Sequence, residues 1–354
     1  MRIGILAHCA HPIGEPYAGG LEMIVSLLVD EFVKRNHEVH LLCKEGSTTR
    51  AVQHFYDNSM EFDGNAKSKA SDIIEFGYFY KDVLNFCENG FDLINNHCLS
   101  HHAIIVGQLL KVPFVTTIHT PILRNFEIAE QSLSGCCNQT FVAVSKHIAQ
   151  SYAKYIPSVK TIYNGIDLSK WELVREKEDY FIWCGRVCKE KGLKEIMDLS
   201  VSNGIHLKIA GPISDREYFE TEITPRLSTY NKCDYLGHLN QAGLNQIIGH
   251  AKALIFSSTW QEPYGLVIAE ALACGTPIVA NNIGAASEIL TESSGVLFEL
   301  GNPDSFTKAI DSIKFVEPDH CRLRAETFCS HKVMVNAYEA LFNSVRIKKQ
   351  QLIW

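Results

Sequence analysis

The chain has 354 residues, of which 46% are hydrophobic and 21% charged, and its formal net charge is −7. At about 100–200 residues per domain this is the length of two domains, and the composition excludes a largely disordered chain, a collagen-like repeat and a disulfide-stapled mini-protein. Acidic and basic residues are mixed along the chain with no Lys/Arg-rich block, so nucleic acid is not an expected partner.

In chain order, residues 2–7 read as a buried strand, too short to be the apolar core of a signal peptide. Residues 21–35 read as a helix with Leu21, Ile24, Val25, Leu28 and Phe32 on one face. Glu38 to Cys43 is a strand, and 46–70 is polar and irregular. Further strands are expected at Phe91 to Ile94 and Pro113 to Ile118, with a helix over 100–110 between them. Phe141 to Val144 is another, leading into a helix from about Ser145, and Thr161 to Tyr163 is a short one.

Residues 166–179, which include a charge-rich run from Glu172 to Asp179, are expected to link two domains, 1–165 and 180–330. After them strands restart at Tyr180 to Cys184, Ile205 to Ala210, Ala253 to Phe256, Pro277 to Ala280 and Val296 to Phe298. Helices fall at about 192–202, 241–251, 265–274 and 302–314, and the tail over 318–350 reads as helical throughout. Residues 331–354 are expected to pack back towards the N-terminal domain. Strands alternating with helices imply right-handed crossovers, so the fold class is α/β, two doubly wound parallel sheets with a ligand cleft between the domains. The twelve cysteines are scattered without a C-x-x-C pair and read as reduced, mostly buried thiols. No run of 18 apolar residues is present to span a membrane.

Three segments carry groups suited to chemistry. Gly19 and Gly20 directly precede an amphipathic helix, an arrangement that either offers backbone N–H groups to a phosphate or carboxylate or is a plain flexible turn. Arg186 and Lys191 stand between Gly185 and Gly192 where a strand runs out, and read as a diphosphate seat or a solvated basic loop. In the run from Ser257 to Pro277, Glu262 lies in a loop before a helix that starts at Gly265, and Glu270 lies within that mostly apolar helix. A carboxylate there must find donors, either vicinal hydroxyls such as those of a ribose or a core Lys or Arg.

These pieces together resemble the retaining glycosyltransferases of family 4, which share the GT-B fold. The matching residues are Gly19-Gly20-x-Glu22, His119 within Thr117 to Thr120, Asn164 to Asp167, Gly185-Arg186 to Lys191-Gly192, and Glu262-x7-Glu270 running into Gly275-Thr276-Pro277. The resemblance implies two Rossmann-like domains, the first binding the acceptor and the second a nucleotide-sugar donor, with a UDP-sugar and glucose as first choice. It implies that Glu270 holds the ribose, Glu262 contacts the transferred sugar, and Arg186 and Lys191 neutralise the departing diphosphate. Gly19, Gly20 and the backbone at Gly265, Leu266 and Val267 would approach the donor's sugar or phosphate, and His119 would face the sugar from the N-terminal domain. Arg186, Lys191, Glu262 and His119 form the expected catalytic set.

The chain lacks the Asp-x-Asp motif usual in metal-dependent transferases, so no metal or other cofactor is expected. The absence of an obvious carboxylate nucleophile favours front-face attack through an oxocarbenium-like ion pair. The stretch 97–102, with its His-x3-His spacing and Cys98, also fits a zinc site. Tyr264 stands where the family often has Phe, and Ala210-Gly211-Pro212 where a second flexible glycine is often found. The acceptor, a small molecule or an envelope saccharide, would be met by loops such as 46–70 and 121–136. The helix over 21–36 mixes Glu22, Asp30 and Glu31 with Lys34 and Arg35 and offers no evident lipid anchor, so a cytoplasmic enzyme is expected. The alternatives are a UDP-sugar epimerase or glycoside phosphorylase of the same fold, and a non-enzymatic two-domain binding protein.

Overall fold

The computed structural model describes residues 1–57, 79–122, 126 and 139–351, so most of the stretches 46–70 and 121–136 lies outside it. The chain divides into two compact units, Met1–Asn164 with Met334–Trp354, and Gly165–Val333.

The first unit is built on seven strands, β1 (Arg2–Leu6), β2 (Glu38–Cys43), β3 (Val52–Phe55), β4 (Leu93–Asn96), β5 (Phe114–Ile118), β6 (Gln139–Ala143) and β7 (Val159–Thr161). Every neighbouring pair is parallel, in the order β3-β2-β1-β4-β5-β6-β7. The inner strands are near-continuous apolar runs because helices cover both faces of a parallel sheet. The helix Gly20–Lys34 buries Ile24, Val25, Leu28 and Phe32, whereas Leu21 is only half-buried and Glu22 turns inward.

Two differences from the sequence reading have physical causes. β3 lies in the stretch read as irregular, because as an edge strand with half-exposed Val52 and Phe55 it carries little apolar signal. β4 is shifted two residues on, into Asn95 and Asn96, whose polarity hid it. Both side chains are fully buried and satisfied, Asn95 donating to the Val115 carbonyl at 3.1 Å and Asn96 to Thr116 Oγ1 at 3.3 Å.

The helix His331–Gln351 supplies the first unit from Met334 on. Tyr338 meets Thr117 Oγ1 at 3.0 Å, Glu339 pairs with Arg35 at 2.6 Å and with His37 at 2.8 Å, and Phe342 packs on Phe32 with centroids 5.4 Å apart. The tail is not one continuous helix, since it breaks at Ser330, which forms a parallel bridge with Ile166.

The second unit has six parallel strands, β8 (Glu178–Cys184), β9 (Leu207–Ala210), β10 (Cys233–Tyr235), β11 (Ala251–Phe256), β12 (Ile278–Asn281) and β13 (Gly295–Phe298), in the order β10-β9-β8-β11-β12-β13. Its core gathers Phe181, Trp183, Ile196, Ile209, Ile255, Phe298 and Phe306. β10 and the helical stretch from Arg216 to Thr229 went unread because both are short and polar. The stretch 166–179, expected as a linker, is part of this unit. Trp171 is buried in it, Val174 N–H donates to the Cys274 carbonyl at 3.0 Å, and Glu178 already opens β8.

Candidate active site

In doubly wound sheets the ligand crevice opens at the carboxyl ends of the strands, where the strand order reverses. In the second unit that point lies between β8 and β11, and the loops following these two strands carry Arg186, Lys191 and Glu262.

The two loops are knitted together. Trp183 Nε1–H donates to Ser257 Oγ at 2.9 Å, and that hydroxyl donates on to the Lys191 carbonyl at 2.8 Å. Thr259 N–H and Ser258 Oγ–H both reach the Glu190 carbonyl, at 2.9 and 3.3 Å. Gly192, with φ of +67°, lets the chains pass, since a Cβ there would lie 2.2 Å from the Ser257 carbonyl oxygen. Gly211 does the same one strand over, where a Cβ would fall 1.8 Å from the Gly185 oxygen.

This lacing brings Lys191 Nζ into direct ion-pair contact with Glu262, whose residue is only 8% exposed. Glu262 is also fixed through its backbone, its carbonyl accepting the Ala285 N–H at 3.2 Å beside Gly284. Arg186 is exposed, and among the described residues its guanidinium has no partner. Gly265, with φ of +93°, caps the helix Leu266–Ala273, so Leu266 and Val267 present N–H groups that no helical carbonyl can take.

Glu270 sits one turn further into this helix, among buried Ile268, Ala269, Ala271 and Leu272. Its carboxyl has no hydrogen-bond partner among the described residues, and burial pushes its pKa up to about 7. It stands close to Cys184 at the end of β8, whose thiol is raised first by burial and further by the Glu270 charge. Of the two partners open to Glu270 in the sequence, a core Lys or Arg is therefore not the one it has.

In the first unit the order reverses between β1 and β4. Gly19 caps the Gly20–Lys34 helix in extended conformation and both glycines are exposed, but the first turn also holds Glu22, whose Oε2 lies 3.2 Å from where a Gly19 Cβ would be. Burial of Glu22 favours protonation. The hydrogen bond from His8 at 2.8 Å, the Glu22 N–H and the charges of His8 and His11 outweigh it and hold the carboxyl below its ordinary range.

His119, just beyond β5, is buried, and its Nε2 lies 2.8 Å from His97 Nδ1, while His97 Nε2 lies 2.7 Å from Asn95 Oδ1. Burial, with smaller contributions from neighbouring charge, lowers both imidazoles, His119 to about 3. The zinc reading of 97–102 does not fit these contacts, since His97 is engaged by His119 and Asn95. Among the described residues no cluster of three or more His, Cys, Asp or Glu is arranged to hold a metal ion.

Each expected residue is thus placed in one unit or the other: Gly19, Gly20 and His119 in the first, Arg186, Lys191, Glu262, Gly265, Leu266, Val267 and Glu270 in the second. Sequence reasoning missed His8, Asn95, Trp183 and Ser257. The signal that would have found His8 and Asn95 is their position at the carboxyl end of a strand beside the point of order reversal.

Comparison with known proteins fits this geometry. Residues 166–325 match the family model of glycosyl transferases group 1, and residues 18–170 match that of glycosyltransferase family 4. An uncharacterised glycosyltransferase of Methanocaldococcus jannaschii is 27% identical over 261 residues, 63% of this chain and 66% of its own. The chain spans between 56% and 66% of the length of the first curated relatives it matches.

Among solved structures, the sucrose-phosphate synthase of Thermosynechococcus elongatus superposes with a TM-score of 0.77 at 15% identity, covering 97% of this chain and 98% of that one. HepE of Anabaena, solved in complex with UDP-glucose, superposes with a TM-score of 0.73 at 16% identity, covering 97% and 100%. The fold is GT-B, and the chain belongs to the glycosyltransferases, with the family 4 pattern in its first unit and the group 1 pattern in its second.

Proposed function

We propose that this chain is a retaining glycosyltransferase that moves a sugar, glucose as first choice, from a UDP-sugar to a hydroxyl acceptor without a metal ion. The observation that carries the reading is Glu270, a largely desolvated carboxyl with no protein donor among the described residues, in the helix that follows Glu262. Vicinal ribose hydroxyls supply the two donors it lacks. HepE, with the same fold, is known in complex with UDP-glucose, which favours that donor.

In this reading Arg186, exposed and without a partner among the described residues, and Lys191, held by Glu262, take up the charge that develops on the β-phosphate as the bond from its oxygen to the sugar's anomeric carbon breaks. The N–H groups of Leu266 and Val267 add helix-end donors to the same anion. The acceptor oxygen then attacks the oxocarbenium-like carbon from the face the diphosphate is leaving. Its proton passes to the leaving phosphate oxygen, so configuration is retained and no protein nucleophile is consumed. In the same reading Glu262 accepts hydrogen bonds from hydroxyls of the transferred sugar, and Gly19, Gly20 and His119 are the first unit's candidates for contact with the donor. The acceptor is a small molecule or an envelope saccharide. None of the ten described cysteines is in a disulfide and eight of them are buried, which fits a reducing cytoplasm.

The test is UDP release by the purified chain over a panel of nucleotide sugars, with and without a chelator, and product mass for acceptors from a lysate. Turnover of a UDP-sugar that survives chelation and falls at least about 100-fold in both Glu270→Ala and Arg186→Ala is expected. Full activity in both variants would overturn the site, and turnover only with added divalent metal would overturn the metal-free mechanism.

A further inference from the structure

We propose that Asn95 and His97 are positioning residues that lock His119 as the neutral tautomer protonated on Nε2, so that its Nδ1 meets the substrate as a hydrogen-bond acceptor for a hydroxyl. The inference rests on the donor-facing role proposed above for His119 and says what that role is.

The argument starts at Asn95, whose amide orientation is forced by its surroundings. One end faces the Val115 carbonyl at 3.1 Å, which only accepts, so that end is the Nδ2 amide, and it also reaches Thr117 Oγ1 at 3.3 Å. The other end is therefore the carbonyl Oδ1, and His97 Nε2, 2.7 Å from it, must carry a proton. His97 is fully buried, no carboxylate is among the groups that act on it, and burial keeps it neutral. A neutral imidazole has one proton, so His97 Nδ1 is a bare acceptor. Facing it at 2.8 Å, His119 Nε2 must donate.

His119 is itself neutral, held there first by burial and then by the His8 charge, against a smaller opposing pull from Glu22. Its single proton is committed to His97, and its Nδ1 is bare. Among the described residues nothing donates to that nitrogen, and the residue is 9% exposed. The group that remains is a fixed lone pair at the carboxyl end of β5. It selects an O–H donor, such as a sugar hydroxyl, and repels a phosphate oxygen. It follows that His119 does not help to neutralise the diphosphate, which is left to Arg186, Lys191 and the helix-end N–H groups of Leu266 and Val267.

The test reads the ring nitrogens of the full chain labelled with 15N-histidine, in two-bond nitrogen–proton spectra from pH 6 to 8, with His119 assigned by its loss in His119→Asn. The expected result is a protonated-type Nε2 and a bare-type Nδ1 on both His97 and His119 throughout. A protonated Nδ1 or a doubly protonated His119 in the wild-type chain overturns the proposal. His97→Leu removes the acceptor and frees His119 to exchange tautomers. His97→Gln restores a donor towards Asn95 and an acceptor towards His119, so the wild-type pattern returns.

With a turned-over UDP-sugar, His97→Leu raises the donor KM about tenfold with little change in kcat, and His97→Gln recovers most of that loss. A deoxy donor lacking the contacted hydroxyl loses about tenfold against the wild-type chain and nothing more against His97→Leu. Equal losses in both would overturn the acceptor role. If no UDP-sugar is turned over, the spectra still decide the tautomer, and only the reading of the donor falls.

Discussion

Glu270 makes a demand on stability that is measurable without any substrate. Its carboxyl is pushed by burial from the ordinary 4.5 to about 7, while in the unfolded chain it returns to its ordinary value. Below pH 4.5 the group is protonated in both states and contributes no pH dependence. Between 4.5 and 7 the unfolded chain has released its proton and the folded chain has not, so the folded state binds more protons and stability falls as pH rises. At 1.36 kcal/mol per pH unit the full interval amounts to about 3 kcal/mol, and the carboxyl's partial exposure brings this to about 2 kcal/mol. Glu270→Gln is neutral at every pH and escapes the decline. Urea unfolding at pH 4.5 and pH 8 should show the variant gaining about 2 kcal/mol on the wild-type chain at the higher pH while losing donor binding. A difference that does not change between the two pH values would refute the idea that the carboxyl is desolvated and unpartnered.

Three further outcomes follow from named contacts. Lys191→Met strands the buried Glu262 carboxylate and should cost about 2 kcal/mol in urea unfolding, with Lys191→Met/Glu262→Gln recovering at least half, because the neutral amide no longer needs a counter-charge. Gly192→Ala places a Cβ 2.2 Å from the Ser257 oxygen at a φ of +67°, so it should lower stability by at least about 2 kcal/mol and, by parting the loops that carry Lys191 and Glu262, weaken donor binding in calorimetry. Tyr338→Phe deletes only the hydroxyl that meets Thr117, so it should cost about 1 kcal/mol in thermal unfolding and leave the His119 ring spectrum unchanged, since Val115 alone orients Asn95.

Much of this was legible in the residues, and the gaps have a common cause. Apolar strands such as Ile3 to Leu6 and Leu254 to Phe256 announce themselves because a parallel sheet buries both faces. The glycines before Leu21 and Leu193, and the Pro-x-Gly turn at Gly265, mark the loop-to-helix passages. Glu262 and Lys191 were each readable as site residues, but not as partners, because 71 residues separate them and the sheet order β8-β11 alone makes them neighbours. The strand end at Asn95 and Asn96 was illegible for the opposite reason: its side chains are buried and polar, and their hydrogen bonds to Val115 and Thr116 are satisfied across a register that no local pattern encodes. The same buried polar contacts hold His97 and His119, so the part of the first unit hardest to read is also the part proposed to meet the substrate.

What the two units leave unsatisfied is informative when sorted by hydrogen-bond polarity. Glu270 in the second unit and Nδ1 of His119 in the first are acceptors without protein donors among the described residues, and folding gains nothing from keeping either so. Arg186 and the N–H groups of Leu266 and Val267 are donors without acceptors among the described residues. A group that meets either acceptor must offer O–H donors, and one that meets the second set, all within the second unit, must carry an anion. Simple phosphate brings no vicinal hydroxyls to the acceptors, and a neutral sugar brings no charge to Arg186. A sugar nucleotide offers the second unit both, ribose hydroxyls for Glu270 and a diphosphate for Arg186 and the helix end, and this match in polarity favours a sugar–nucleotide donor over either half alone.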